Sequence, residues 1–165
     1  MEITSNANPK IKLIRKLREK KERQATGLCY IEGLRIVIEA LDKNAGLKSL
    51  IINHDLLQSE RGQEAVQKGF QQGVEIIEVS QDVFESIALK ENPQGIAAIV
   101  SEHWSTFSSI KLPEIGLWTA LDSVADPGNL GTIMRTMDAV GGRGIILIGQ
   151  CVDAYDPTSL RASMG

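Results

Sequence analysis

Apolar residues in this chain recur with two periods, and the switching between them divides the chain into elements. Behind Asn8-Pro9, Ile11, Ile14 and Leu17 fall at helical spacing and predict a first helix with a narrow apolar stripe, broken by Gly27. Leu28 to Ile31 reads as a short strand. After Glu32-Gly33, the positions Leu34, Val37, Ile38 and Leu41 repeat at steps of three and four, the signature of a second amphipathic helix. Leu47 to Asn53 is a continuous apolar run of the kind buried on both faces. A long polar helix follows from about Leu56 to Gln72 and ends at Gly73. Val74 to Val79 is the next strand, and Ser80 suits the cap of a helix from about Asp82 to Leu89. Asn92-Pro93-Gln94-Gly95 is a turn before a strand from Ile96 to Val100. Later, a strand-like run (Leu117 to Leu121) passes through a polar, Gly-rich turn into a helix-like run (Leu130 to Val140). Strands alternating with helices predict an α/β protein with a parallel or mixed sheet.

The stretch from Trp104 to Pro113 lacks periodicity, is rich in Ser and Thr, and ends at a proline. It divides the chain into an expected first domain, 1–103, a linker, 104–113, and a second domain, 114–165. Apolar content of 42% and charged content of 24% suit a soluble globular protein. With seven aromatic residues the core must be aliphatic. No apolar run approaches the ~20 residues of a membrane span, and the N-terminus lacks the basic-then-apolar order of a secretory signal. Cys29 and Cys151 read as reduced structural thiols, which predicts a cytoplasmic protein. His54 and His103 form no metal-ligand spacing, so no metal is expected.

Charge is distributed unevenly. Residues 1–27 carry eight Lys/Arg against three acids, whereas residues 28–165 carry ten against eighteen. The basic residues Lys10, Lys12, Arg15, Lys16, Arg18, Lys20, Lys21 and Arg23 crowd one short segment of an otherwise acidic chain. Two readings stand, a solvated helix face or a surface for a phosphate backbone.

The candidate chemistry lies in the polar, Gly-rich strand-to-helix turn between Leu121 and Leu130, where α/β proteins place ligands. It contains Asp126, Pro127, Gly128, Asn129 and Gly131, followed by a lone cation, Arg135. From the residues alone, a helix cap at Asn129 with a solvated Arg135 competes evenly with a functional site.

The pattern D-P-G-N-L-G-T-I-M-R-T (Asp126 to Thr136) resembles the first signature motif of the SpoU (TrmH-like) RNA ribose 2′-O-methyltransferases of the SPOUT class. The block C-Y-I-E-G-L-R-I-V-I-E-A-L (Cys29 to Leu41) is similar to the opening of the substrate-binding domain that precedes many SpoU catalytic domains, with Tyr30 where Phe is commoner. N-A-N-P-K-I-K-L-I-R-K-L (Asn6 to Leu17) and N-P-Q-G-I-A-A-I-V (Asn92 to Val100) resemble the same domain. G-I-I-L-I-G (Gly144 to Gly149) and D-A-Y-D-P-T-S-L-R-A-S-M-G (Asp153 to Gly165) continue the match. The resemblance implies a small α/β RNA-binding domain, ribosomal-protein-like, followed by the first part of an α/β-knot (SPOUT) methyltransferase domain.

It further implies methyl transfer from S-adenosylmethionine to a ribose 2′-hydroxyl of rRNA or tRNA by a homodimer. Arg135 matches the arginine placed at the 2′-hydroxyl, where a guanidinium serves better as an electrostatic stabiliser of the developing alkoxide than as a base. Asn129 matches the motif asparagine and is expected in the turn, because two helical residues six apart lie ~240° from one another. Gly128 and Gly131 are expected to allow close backbone approach, while Asp126 has a structural and a functional reading of equal weight. Glu32 and Arg35 match the opening of the RNA-binding domain, Glu32 weighted two to one toward structure. Arg161 belongs to a segment that lies near the dimer interface and active site in relatives. The remaining signature motifs of such proteins have no counterpart here, so the chain is expected to be a piece of a longer protein or the product of an interrupted gene, with the cofactor pocket beyond Gly165. A non-catalytic RNA-binding module is the alternative.

Overall fold

The structure, a computed structural model, describes residues 2–110 and 116–163. It divides into two compact units, Met1–Ser101 and Glu102–Gly165. The first is built from α1 (Pro9–Lys16), α2 (Lys20–Thr26), β1 (Leu28–Glu32), α3 (Leu34–Asp42), β2 (Leu47–Ile52), α4 (Glu60–Gln71), β3 (Glu75–Glu78), α5 (Gln81–Ile87) and β4 (Ile96–Ser101). Its sheet is mixed, in the order β1-β4-β2-β3. β4 runs antiparallel to both β1 and β2, and β3 runs parallel to β2.

Side-chain alternation sends the strands' apolar residues to opposite faces. Tyr30, Ile51, Ile77, Ala97 and Ile99 face one side and form a core with Ile11, Ile14 and Leu17 of the first helical segment and Val83, Phe84 and Ile87 of α5. On the other side α4 lies so close that a Cβ on Gly69 would strike the Leu50 side chain. With helices over both faces, the strands can be apolar at every position, as the continuous runs implied.

Two boundaries differ from expectation. The long polar helix begins at Glu60 rather than Leu56, because Ser59 caps it, its side chain accepting from the Gly62 N–H. Asn53 holds the preceding turn through its side chain on the Leu56 N–H (3.0 Å) and its carbonyl on the Leu57 N–H (3.0 Å). The basic segment is two helices rather than one, interrupted at Leu17–Glu19. Arg23 is the cause. Its side chain is buried and donates to the carbonyls of Leu17 (2.9 Å) and Arg18 (2.8 Å). A continuous helix would have paired those carbonyls with N–H groups four residues on.

The second unit holds β5 (Trp118–Asp122), α6 (Pro127–Ala139), β6 (Gly144–Ile148) and α7 (Pro157–Ser163), preceded by a short 3₁₀ turn, Phe107–Ser109. β5 and β6 pair in parallel from Trp118↔Gly144 to Asp122↔Ile148. The described residues of the stretch expected as a linker belong to this unit. Trp104 stands edge-on to Tyr155 (ring centroids 5.3 Å apart), and the Tyr155 hydroxyl bonds both the N–H (2.7 Å) and the carbonyl (3.0 Å) of His103. Residues 111–115 of that stretch lie outside the described residues. Among the described residues, no helix is long and apolar enough to cross a membrane.

Candidate functional site

Of the eight cations expected to meet a phosphate backbone, half are committed to the fold. Arg23 is buried, which removes it from any RNA surface. Arg15 donates to the Asn6 carbonyl (3.2 Å), the Asn6 side chain and Ser86 (2.7 Å). Arg18 donates to the carbonyls of Ile87 (2.7 Å) and Ala88 (2.9 Å), the residues at the end of α5. Lys10 pairs with Glu75 of β3. Lys12, Lys16, Lys20 and Lys21 are exposed, and none makes a side-chain hydrogen bond or ion pair among the described residues.

Glu32 also belongs to the architecture. It ends β1 nearly buried, and its carboxylate accepts from the Leu89 N–H. Two residues further, the Gln94 side chain accepts from the Leu34 N–H (3.0 Å), supplying the N-terminal cap that Gly33 cannot. The E-G block and the N-P-Q-G turn are thus one structural clamp, and Gln94 had no local signal because its partner is 60 residues away. Arg35 stays exposed on α3. Beside Glu32, the buried Tyr30 hydroxyl has its pKa pushed well above the ordinary 10.0, first by burial and then by the Glu32 charge, with Arg18 opposing.

In the second unit, Asp126 caps α6, its Oδ1 accepting from the Asn129 N–H (2.7 Å), with Pro127 in the first helical position. That gives Asp126 a structural role. It also corrects two expectations. The helix starts at Pro127 rather than Leu130, and Asn129 lies inside it rather than in the turn. Asn129 and Arg135 therefore sit on different faces of α6, about 9 Å apart along its axis, and this unit does not bring them to one point. Gly131 provides a close approach, but to α7. A Cβ there would strike the Ser159 carbonyl and the Ala162 Cβ (2.6 Å). Gly128 lies against the cap, 3.1 Å from Asp126 Oδ1 to the position of an added Cβ. Arg135, one turn beyond Gly131 on the same side of α6, is exposed and makes no side-chain hydrogen bond or ion pair among the described residues. Arg161 is exposed on α7.

The loops beyond β5 and β6 are joined to each other. Ser123, held at φ +55°, donates its N–H to the Ile148 carbonyl (3.0 Å) and its hydroxyl to Asp122 (2.8 Å). The Cys151 thiol reaches the carbonyls of Leu121 (3.4 Å) and Ile148 (3.2 Å). Two adjoining open cavities, about 350 and about 300 Å³, lie elsewhere in the unit against β6, sharing Trp104, Met134, Arg143, Gly144, Ile145 and Ala154. Neither includes Asn129 or Arg135. Among the described residues, no group of three or more His, Cys, Asp or Glu side chains is placed to hold a metal ion.

Residues 8–98 match the MRM3-like substrate binding domain, and residues 116–165 match the SpoU rRNA Methylase family. The 23S rRNA (guanosine(2553)-2′-O)-methyltransferase RlmP of Bacillus subtilis is 32% identical over 99% of this chain and 61% of its own. A mitochondrial rRNA methyltransferase 3A of Danio rerio is 36% identical over 87% of this chain and 33% of its own. Among solved structures, an AdoMet-bound rRNA methyltransferase from Sinorhizobium meliloti superposes with a TM-score of 0.87 at 38% identity, over the whole of this chain and 60% of that one. The chain thus spans about three fifths of the length of these bacterial relatives.

Proposed function

The chain belongs to the SpoU family of RNA methyltransferases, and from that premise we propose that it acts in transferring a methyl group from S-adenosylmethionine to a ribose 2′-hydroxyl of RNA, as a cytoplasmic homodimer. The observation that carries this reading is the D-P-G-N-L-G-T-I-M-R turn. It leaves the carboxyl end of a parallel strand, where open α/β sheets bind ligands. The rRNA methyltransferases among the relatives favour ribosomal over transfer RNA. A non-catalytic RNA-binding module is not favoured, because the second unit matches the methylase family as well.

S-adenosylmethionine, when bound, supplies an electrophilic methyl group on a sulfonium centre. The polar groups at the ends of β5 and β6 are engaged with one another. The task proposed for the α6 residues is to handle the nucleophile. A ribose hydroxyl is protonated at neutral pH. Loss of its proton, to water or a substrate phosphate, is what develops negative charge on the oxygen that would take the methyl group and leave S-adenosylhomocysteine. A guanidinium stays charged throughout and stabilises that oxygen without acting as a base. Arg135 is the residue proposed for this role, and Asn129, on another face of α6, acts at a separate point of the substrate or the turn.

The test is to incubate the intact gene product with ribosomal RNA and S-adenosylmethionine labelled in the methyl group. A 2′-O-methyl group blocks attack on the adjacent phosphodiester, so the product should be labelled, alkali-resistant dinucleotide. Label on a base, or no transfer to any RNA, overturns the assignment.

A further inference from the structure

The first unit divides its basic segment by residue type. All three arginines between Lys10 and Arg23 are turned to main-chain or side-chain acceptors of the unit itself: Arg15 on Asn6 and Ser86, Arg18 on Ile87 and Ala88, Arg23 on Leu17 and Arg18. Four of the five lysines remain, exposed and without a partner among the described residues. The division has a physical reason. A guanidinium presents five donors in a rigid fork and can tie two carbonyls at once, whereas an ammonium is a strongly hydrated point charge on a flexible stem.

We propose that the polyanion-contacting surface of the first unit is the lysine set Lys12, Lys16, Lys20 and Lys21, with the arginines setting its shape rather than touching the ligand. Lys12 and Lys16 are one turn apart on the exposed side of α1, opposite the buried Ile11 and Ile14. Lys20 and Lys21 open α2, directly after the break that Arg23 holds. The break redirects the chain between the two pairs, so the lysines do not follow one straight helix. Two carboxylates, Glu19 and Glu22, share the stretch, and the four lysines outnumber them two to one. Mobile ammonium groups suit the irregular phosphate path of a folded RNA and carry no base readout. The partner is therefore the phosphate backbone of structured RNA, and this inference rests on the family reading above.

The experiment measures binding of a fluorescently labelled RNA hairpin to the whole chain across a salt series, with melting curves for every variant. Replacing all four lysines by Ala should leave the melting temperature in place and lower the magnitude of the log–log salt slope by about 3, at ~0.7–0.9 for each phosphate contact. Lys→Arg at all four should retain the slope. Arg18→Gln and Arg15→Gln should do the reverse, lowering the melting temperature with the slope unchanged. If the quadruple Ala variant binds with the original slope, or Arg18→Gln loses a full contact's worth of slope at a temperature where it is folded, the lysine surface is wrong while the family reading stands. If the unaltered chain does not bind the hairpin even at low salt, the RNA reading of the first unit falls together with the surface.

Discussion

The two units are built from the same alternation of strand and helix, yet only one of them closes a core. In β2, Leu50, Ile51 and Ile52 are at most 1% exposed, while no residue of β5 or β6 is fully buried. The strands themselves are equally apolar: Leu-Ile-Ile in one, Gly-Ile-Ile-Leu-Ile in the other. What differs is cover. The first sheet has four strands with helices over both faces, whereas the second has two strands, and α6 packs chiefly against α7. Apolar side chains at Trp104, Leu117, Val140 and Ile148 stay about half exposed or more. An apolar sequence specifies a strand, but burial and the stability it brings depend on what lies on either side.

The comparison can be broken by truncating one isoleucine in each unit. Ile51→Ala should cost about 2–5 kcal/mol, as a fully buried side chain leaving a cavity does. Ile146→Ala, from a half-covered strand, should cost under about 1.5 kcal/mol. Chemical denaturation with hydrogen exchange resolved by strand reads both effects. Equal costs, or β5 and β6 amides protected as strongly as those of β2 and β4, would show that the second unit is covered in solution.

Arg135 sharpens the same contrast, because the less covered unit is the one assigned the chemistry. In the intact gene product, Arg135→Ala should lower turnover by ~10²–10³, comparable to loss of an oxyanion-hole donor. Arg135→Lys should recover part of it, keeping the charge and losing the planar fork. Turnover near that of the unaltered protein, with a lowered melting point, would make Arg135 a helix brace.

The smallest effect concerns the polar heart of the better covered unit. Tyr30 has a raised pKa in the folded state, so above pH 10.0 the unfolded chain releases its proton first and binds fewer protons than the native state. Stability is then complete below that pH and falls as pH rises, by up to about 1.4 kcal/mol per pH unit. Tyr30→Phe should flatten this alkaline arm. An unchanged slope in urea denaturation between pH 10 and 11 would place the alkaline loss in other groups.

Much of this was legible one residue at a time. Continuous apolar runs marked the strands because a strand under two helical layers has no polar face, and three-and-four spacing marked α3 because it has one. The turn into α6 was legible as a motif, since an Asp-Pro opening and a lone Arg one and a half turns past Asn129 are local facts. Sequence could not show which polar groups were already taken. Asp126 and Asn129 both had the composition of a cap, and only the bond from the Asn129 N–H to the Asp126 carboxylate chose between them.

The sequence by itself determined most of the elements, the α/β class and the family, because periodicity and motif spacing are properties of neighbouring residues. Tertiary structure alone decided the fate of each charge. Arg18 found its acceptors 69 and 70 residues away, Lys10 its carboxylate on β3, and Glu32 its N–H at Leu89. Whether a cation is part of the fold or available to a ligand depends on which unsatisfied carbonyl or carboxylate the chain brings beside it, and no local pattern contains that information.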